Sequence, residues 1–276
     1  MDGYRPRNIR EALEIRANKS VIVLAGGTDF MLKYRKNADA VLYISHLKEL
    51  KNIYKEKGYL VVGAATTLDE LLKSNDIPSL LKNIISKMAA PAIKNIATIG
   101  GNICNASPAG DILPFLYALD AKVVIGSLNG IREIEIENFI KGPGETDIKT
   151  NELLLQTKFP LDLIEKLHSN IFNVQTYRKV GTRRANALSK LSFLGIAEIS
   201  KDLKDVRIAF GAVAPTVVRS RSIERKIVEG ATIKDILEMY SDMITPIDDQ
   251  RSTAFYRKTV SLRLLRYFLR QIRTSQ

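Results

Sequence analysis

The stretch "ATIGGNICNASPAGDILPFLYALDA", residues 97–121, packs a glycine pair, a Ser-Pro-Ala-Gly-Asp turn and an apolar helix over 112–119 into one short run. Glycine has no Cβ, so a backbone at Gly100–Gly101 can approach a neighbour closely and present successive N–H groups to it. A second pair, Gly26–Gly27, lies in "LAGGTDF" at 24–30. Hydroxyl and amide side chains flank both pairs: Thr28 in the first, Thr98 and Asn102 in the second. Together the two loops can cradle one anion, such as a diphosphate, from two sides, whereas either pair alone reads as a tight turn. Neither is Gly-x-Gly-x-x-Gly or the lysine-containing phosphate loop, which argues against the common dinucleotide and triphosphate folds.

Around these loops strand and helix signals alternate. A helix over 10–17 precedes the buried strand "VIVLA" (21–25), which runs into the first glycine pair, and a short helix over 30–35 follows with Asp29 placed to cap it. "AVLYIS" (40–45) and "YLVVGA" (59–64) read as strands, and "TTLDELLKS" (66–74) carries a capping box before a helix. Beyond the second loop, "KVVIGS" (122–127), "GIREIEI" (130–136) and "ELLLQTKF" (152–159) read as a hairpin and a further strand. Composition shifts around Pro160–Asn173. A strand over 171–179, a mixed apolar stretch over 189–200, a strand at 205–215 and two helices near 232–243 and 252–273 then complete the pattern. The boundary between two domains is expected near residue 172.

Composition narrows the classes. The 276 residues are 45 % hydrophobic, enough for a substantial core, and contain no eighteen-residue apolar run. The N-terminus has no secretory pattern, so a soluble, intracellular protein is expected, without membrane insertion. One cysteine, Cys104, and two histidines, His46 and His168, give no disulfide and no zinc or iron–sulfur ligand set. Of a net charge of +12, over half comes from residues 251–276, where seven basic residues meet no acidic one. There Leu262, Leu265, Leu269 and Ile272 form an apolar stripe, and Arg263, Arg266, Arg270 and Arg273 run parallel to it. Such a helix can be docked on its own domain with a solvated basic face, or that face can serve phosphate or an acidic protein.

Taken together, "LAGGTDF" (24–30) and "ATIGGNICNASPAGD" (97–111) resemble the two flavin-binding signatures of the FAD-carrying medium subunit of the molybdenum hydroxylases, the xanthine dehydrogenase and carbon monoxide dehydrogenase family. The resemblance extends through "RPRNIREAL", "PAIKNIATIGGN", "NELLLQTKFP" (151–160), "RKVGTRRANA" (178–187), "RIAFGAVAPTVVR" (207–219) and "DDQRSTAFYRKTV" (248–260). It implies an α+β fold: a two-lobed FAD-binding domain of the vanillyl-alcohol-oxidase/PCMH type over 1–172, with lobes of about 1–55 and 56–172. A smaller α+β domain with an antiparallel sheet follows over 173–276.

By position, the resemblance assigns non-covalent FAD to Leu24, Ala25, Gly26, Gly27, Thr28, Asp29 and Phe30 in the first loop. In the second it assigns Thr98, Ile99, Gly100, Gly101 and Asn102, the loop backbones wrapping the diphosphate with N–H groups. Asp111 is expected on a hydroxyl of the FAD chain, or as the cap of helix 112–119. Leu154 and Met88 correspond to apolar positions near the cofactor, or are core residues. Lys179 falls on the family's cofactor-contacting lysine, beside the flavin ring or the diphosphate, or is a solvated lysine in a basic segment. No catalytic side chain and no metal ligand is implied. Molybdenum-pterin and [2Fe-2S] clusters are expected only in partner chains, a small iron–sulfur subunit and a large molybdopterin subunit, in a cytoplasmic heterotrimer or dimer of heterotrimers. The flavin then hands electrons from the clusters to an external acceptor. Two other classes fit less of the sequence: a standalone FAD-dependent oxidoreductase of the same fold, and a basic nucleic-acid-binding protein, for which no binding motif is present.

Overall fold

The computed structural model describes residues 2–33, 39–183 and 186–274. They divide into two compact units built from interleaved stretches of chain: Met1–Ile77, Ala89–Ser107 and Asp120–Leu161 in the first, Pro78–Met88, Pro108–Leu119 and Asp162–Gln276 in the second. The expected boundary near 172 falls inside the last stretch of the second unit.

The first unit holds two main sheets. One is parallel, with Ala40–Tyr43 central between Asp2–Tyr4 and Ile22–Leu24. Helix Ile9–Asn18 joins the two outer strands, and the Asn8 side chain caps it by accepting from Glu11 N. Ala12 and Leu13 of that helix pack with Leu42, Ile44, Leu47 and Leu50. The other sheet is antiparallel with five strands in the order Ile53–Glu56, Tyr59–Gly63, Leu153–Pro160, Lys122–Ser127, Gly130–Glu135. The capping box expected at Thr67 forms: its hydroxyl accepts from Glu70 N, and Glu70 returns a bond to Thr67 N at 2.7 Å. The helix expected at 30–35 is seen as Phe30–Lys33, residues 34 and 35 lying outside the described set.

The second unit is centred on an antiparallel sheet of Val174–Val180, Leu191–Ile199 and Leu203–Gly211. Its middle strand is almost wholly buried because helix Leu113–Ala118 and the C-terminal helix Ala254–Thr274 both pack on it. A strand covered on both faces has no polar alternation, which is why 189–200 reads in sequence only as mixed apolar. Phe193 links the layers, meeting Phe210 and Phe268 with ring centroids 5.1 and 5.8 Å apart. Of the apolar stripe of the C-terminal helix, Leu265, Leu269 and Ile272 are buried and Leu262 is half-buried, while Arg263, Arg266, Arg270 and Arg273 are exposed. Among the described residues no helix is long and apolar enough to cross a membrane.

Candidate cofactor site

Strand Ile22–Leu24 delivers the chain to Ala25, Gly26, Gly27 and Thr28, which turn into the Phe30 helix with Met31 N donating to the Gly27 carbonyl. The two glycines do different things. Gly27 has φ of +72°, a left-handed turn that L side chains rarely adopt, so the tight-turn reading describes it. Gly26 is fixed by contact: a Cβ there would lie 1.8 Å from the Ile96 carbonyl oxygen, so the first loop lies directly against the segment that opens the second.

In that second loop Thr98 is the N-cap of helix Ile99–Asn105, its hydroxyl accepting from Gly101 N at 3.0 Å. Gly100 is pinned from below, since a Cβ would come within 2.6 Å of the Ala64 carbonyl. The first N–H groups of this helix are all taken inside the chain: Ile99 N by Thr66 O, Gly100 N by Ala64 O and Asn102 N by Thr98 O, at 2.9–3.0 Å. Wrapping of a diphosphate by free N–H groups of 98–102 is therefore narrowed; this loop offers side chains and shape. Gly101 is helical rather than left-handed, and a Cβ there would meet only Thr98 Oγ1, at 2.9 Å. The first loop is the opposite case. Among the described residues, no protein acceptor takes the N–H of Gly26, Gly27 or Thr28.

Residues 22–30 together with Ala97, Thr98, Gly101, Asn102, Cys104 and Asn105 wall a cleft of about 250 Å³. Leu24, Ala25, Asp29 and Phe30 thus stand on the same wall as the glycines. Asn102 Oδ1 is buried there without a protein partner, and an orphaned buried amide atom is a costly feature unless a bound molecule engages it. Ile99 is fully buried and serves the interior. Burial pushes the Cys104 thiol up to about 12, leaving a neutral packing group. A second cavity of about 300 Å³ adjoins the same loop residues and is floored by Val23, Ile44, Leu153 and Leu154. Arg16 borders it, donating to Val21 O at 2.6 Å and Glu152 O at 3.3 Å.

The second unit carries the remaining expected residues. Asp111, 5 % exposed, accepts from Lys179 Nζ at 2.6 Å, Ser189 Oγ at 2.5 Å and Tyr177 OH at 3.2 Å. Lys179 also donates to the Lys87 carbonyl at 3.2 Å, next to the half-buried Met88. The cap and solvated-surface readings of these two residues do not hold. Asp111 does not cap the following helix, whose N-cap is Ile112 with no side-chain bond, and Lys179 is not a solvated lysine. Burial, and next the neighbouring Asp111 charge, push the Tyr177 phenol up, so it stays protonated and donates. Tyr177 was within reach of sequence reasoning, because it shares a strand face with Lys179 two residues on; Ser189 carried no such signal. Among the described residues no three His, Cys, Asp or Glu side chains are grouped to hold a metal.

The first loop thus presents N–H groups that no described acceptor takes, on a cleft that contains an unpartnered carboxamide oxygen and stands beside an apolar cavity, an arrangement suited to a large polar ligand. The family models agree. "FAD binding domain in molybdopterin dehydrogenase" matches residues 1–162 and "CO dehydrogenase flavoprotein C-terminal domain" matches 176–272, so the chain belongs to the FAD-binding subunit family of the molybdopterin dehydrogenases. It is 29 % identical over 269 residues to the glyceraldehyde dehydrogenase medium chain of Sulfolobus acidocaldarius, covering 93 % of this chain and 92 % of that one. It is likewise 29 % identical to the xanthine dehydrogenase FAD-binding subunit of Escherichia coli O157:H7, over 98 % and 93 % of the two chains. In fold it is similar to quinoline 2-oxidoreductase from Pseudomonas putida 86, with a TM-score of 0.86 over 100 % of this chain and 97 % of that one at 19 % identity. Carbon monoxide dehydrogenase from Hydrogenophaga pseudoflava gives a TM-score of 0.84 over 97 % and 95 % at 22 % identity. The expected flavoprotein fold and antiparallel C-terminal domain are thus observed, and the chain is a flavoprotein oxidoreductase subunit with FAD as its cofactor.

Proposed function

We propose that FAD is held with its diphosphate on the N–H groups of Gly26, Gly27 and Thr28, and that Thr98, Gly101 and Asn102 close the other side of the cleft. The single observation carrying this reading is that three unclaimed N–H donors, which suit phosphate oxygens, share a cleft with the orphaned Asn102 Oδ1, an acceptor that suits a ligand hydroxyl or amine. Three backbone N–H dipoles, two of them from residues without a Cβ, stabilise an anion without placing a full charge beside it. Leu24, Ala25, Asp29, Phe30, Gly100 and Leu154 shape the walls and the adjoining apolar cavity, and Ile99 packs the second loop's helix onto the interior. Asp111 and Lys179 form the charged pair assigned to the flavin side: the carboxylate orients the ammonium, and the ammonium favours any negative charge that develops near it. In this reading residues 1–172 are the FAD-binding domain, with lobes of about 1–55 and 56–172, and 173–276 the C-terminal domain.

When bound, FAD supplies one- and two-electron redox chemistry; the chain contributes binding, orientation and electrostatics. The chain is the FAD-carrying electron-transfer subunit of a molybdenum-containing dehydrogenase, passing electrons from iron–sulfur clusters to an external acceptor. A small iron–sulfur subunit and a large molybdopterin subunit would complete a cytoplasmic heterotrimer or dimer of heterotrimers. The names of the relatives, a medium chain and a FAD-binding subunit, support this assembly. Flavin content of the purified chain tests the site. Wild type should carry close to one FAD per chain and Gly101→Val almost none, with the far-ultraviolet circular dichroism unchanged. Full flavin occupancy in Gly101→Val would reject the cleft assignment.

A further inference from the structure

The C-terminal helix Ala254–Thr274 carries charge that its own unit does not consume. Of the seven basic residues from 251 onward, Arg251 and Arg257 close on Asp249 at 3.7 and 2.6 Å, and Arg273 donates to Ala231 O at 2.6 Å. Arg263, Arg266 and Arg270 are exposed and, among the described residues, have no carboxylate or carbonyl partner. Spaced three and four apart, they share one helix face. Arg266 and Arg270 also form one side of a groove of about 400 Å³, whose other side is Ile233, Lys234, Leu237 and Glu238 of helix Ile233–Met243.

We propose that this groove docks an acidic amphipathic helix of a partner subunit, with carboxylates at i and i+4 meeting Arg270 and Arg266 and an apolar side chain between them over Ile233 and Leu237. The proposal rests on the reading of the chain as one subunit of a complex. Charge complementarity selects the occupant. Two arginines one helical turn apart have Cβ atoms about 6 Å from each other, the same spacing as that of carboxylate residues at i and i+4 on a facing helix. The apolar floor at Ile233 and Leu237 disfavours a phosphate backbone, which offers it no apolar group, while Glu238 is engaged by Lys234 on its own helix. Arg263 extends the basic face and steers encounter.

The test uses the tagged full chain expressed in its native host, read by flavin, molybdenum and iron per chain after purification. Arg266→Glu/Arg270→Glu should keep its flavin and lose co-purifying molybdenum and iron by about tenfold or more. The charge-preserving Arg266→Lys/Arg270→Lys should keep both, and carbodiimide treatment of its complex should join an introduced lysine side chain to an aspartate or glutamate of the partner. Unchanged metal content in the charge-reversed protein overturns the proposal, as does a lysine variant that cross-links to no partner carboxylate. If charge reversal also removes flavin, Arg266→Gln/Arg270→Gln decides by the same criteria. A wild-type chain that holds flavin but never brings metal refutes the subunit reading and this proposal with it. Salt-sensitive binding of a random DNA duplex, lost in the reversed variant while assembly persists, assigns the groove to nucleic acid instead.

Discussion

Replacing Asp111 by asparagine isolates one charge in a buried cluster. The Asp111 and Lys179 side chains are only 6 % and 11 % exposed, so water screens little of their interaction. Asparagine keeps the shape and still accepts from Ser189 and Tyr177, but leaves the Lys179 ammonium with the Lys87 carbonyl as its remaining contact. Breaking a buried pair by removing one partner costs about 3–5 kcal/mol. At roughly 2–4 °C per kcal/mol for a body of this size, Tm should fall by about 6–20 °C. Lys179→Met should cost a similar amount, because it strands the carboxylate. The double variant Asp111→Asn/Lys179→Met strands neither and should recover about 2 kcal/mol or more against the sum of the single variants. Urea unfolding followed by circular dichroism on flavin-free protein is the assay, since bound FAD would add stability by mass action. A loss under about 1 kcal/mol in Asp111→Asn, or a double variant as unstable as the sum of the singles, refutes the reasoning that these charges are desolvated and coupled.

Three further outcomes are expected. Gly26→Ala, whose Cβ would sit 1.8 Å from Ile96 O, should lose about 4 kcal/mol or more along with all flavin, whereas Gly101→Ala, meeting only the Thr98 hydroxyl, should melt close to wild type; equal melting temperatures would show that the loops are not in contact. Arg132 holds Glu152 and Asp147 below the usual carboxylate range, chiefly through side-chain hydrogen bonds. Both are lowered in the folded state, so their stabilisation is complete above about pH 4.5 and is lost as pH falls through the lower folded-state values; Arg132→Met should flatten the acid limb of a melting-temperature profile, and an unchanged limb would contradict the pairing. Cys104, with its thiol pushed up to about 12, should resist iodoacetamide at about pH 8 until the chain is unfolded; fast labelling of native protein would show an open thiolate.

Much of this arrangement is legible in the residues. The short β-branched run "KVVIGS" and the capping box at Thr67 depend on local chemistry, and both appear where expected. The strand Leu191–Ile199 is hidden because both faces are covered, whereas helices Ser79–Ser86 and Arg221–Val228 do carry helical apolar spacing in the residues. In the site, glycine pairs announce close backbone approach but not what approaches. That Gly26 meets Ile96, and that Ala64 and Thr66 claim the N–H groups of the second loop, are long-range facts no local pattern encodes. The same holds for Asp111 and Lys179, 68 positions apart in sequence and 2.6 Å apart in the fold.

The interleaving of the two units has a consequence for how this chain can be cut and copied. Helices Ser79–Ser86 and Leu113–Ala118 are encoded in the middle of the first unit's sequence yet belong to the second, where Phe115 and Leu116 are fully buried. A fragment ending near 172 would carry those helices without the sheet they cover, and the complementary fragment would display a bare sheet face. Neither half is then a self-sufficient module. During synthesis the ribosome releases both helices well before Leu191–Ile199 exists, so they wait, apolar and uncovered, for the rest of the second unit to emerge. Gene fusion or recombination can therefore move this protein intact but cannot trade its halves without leaving two helices orphaned.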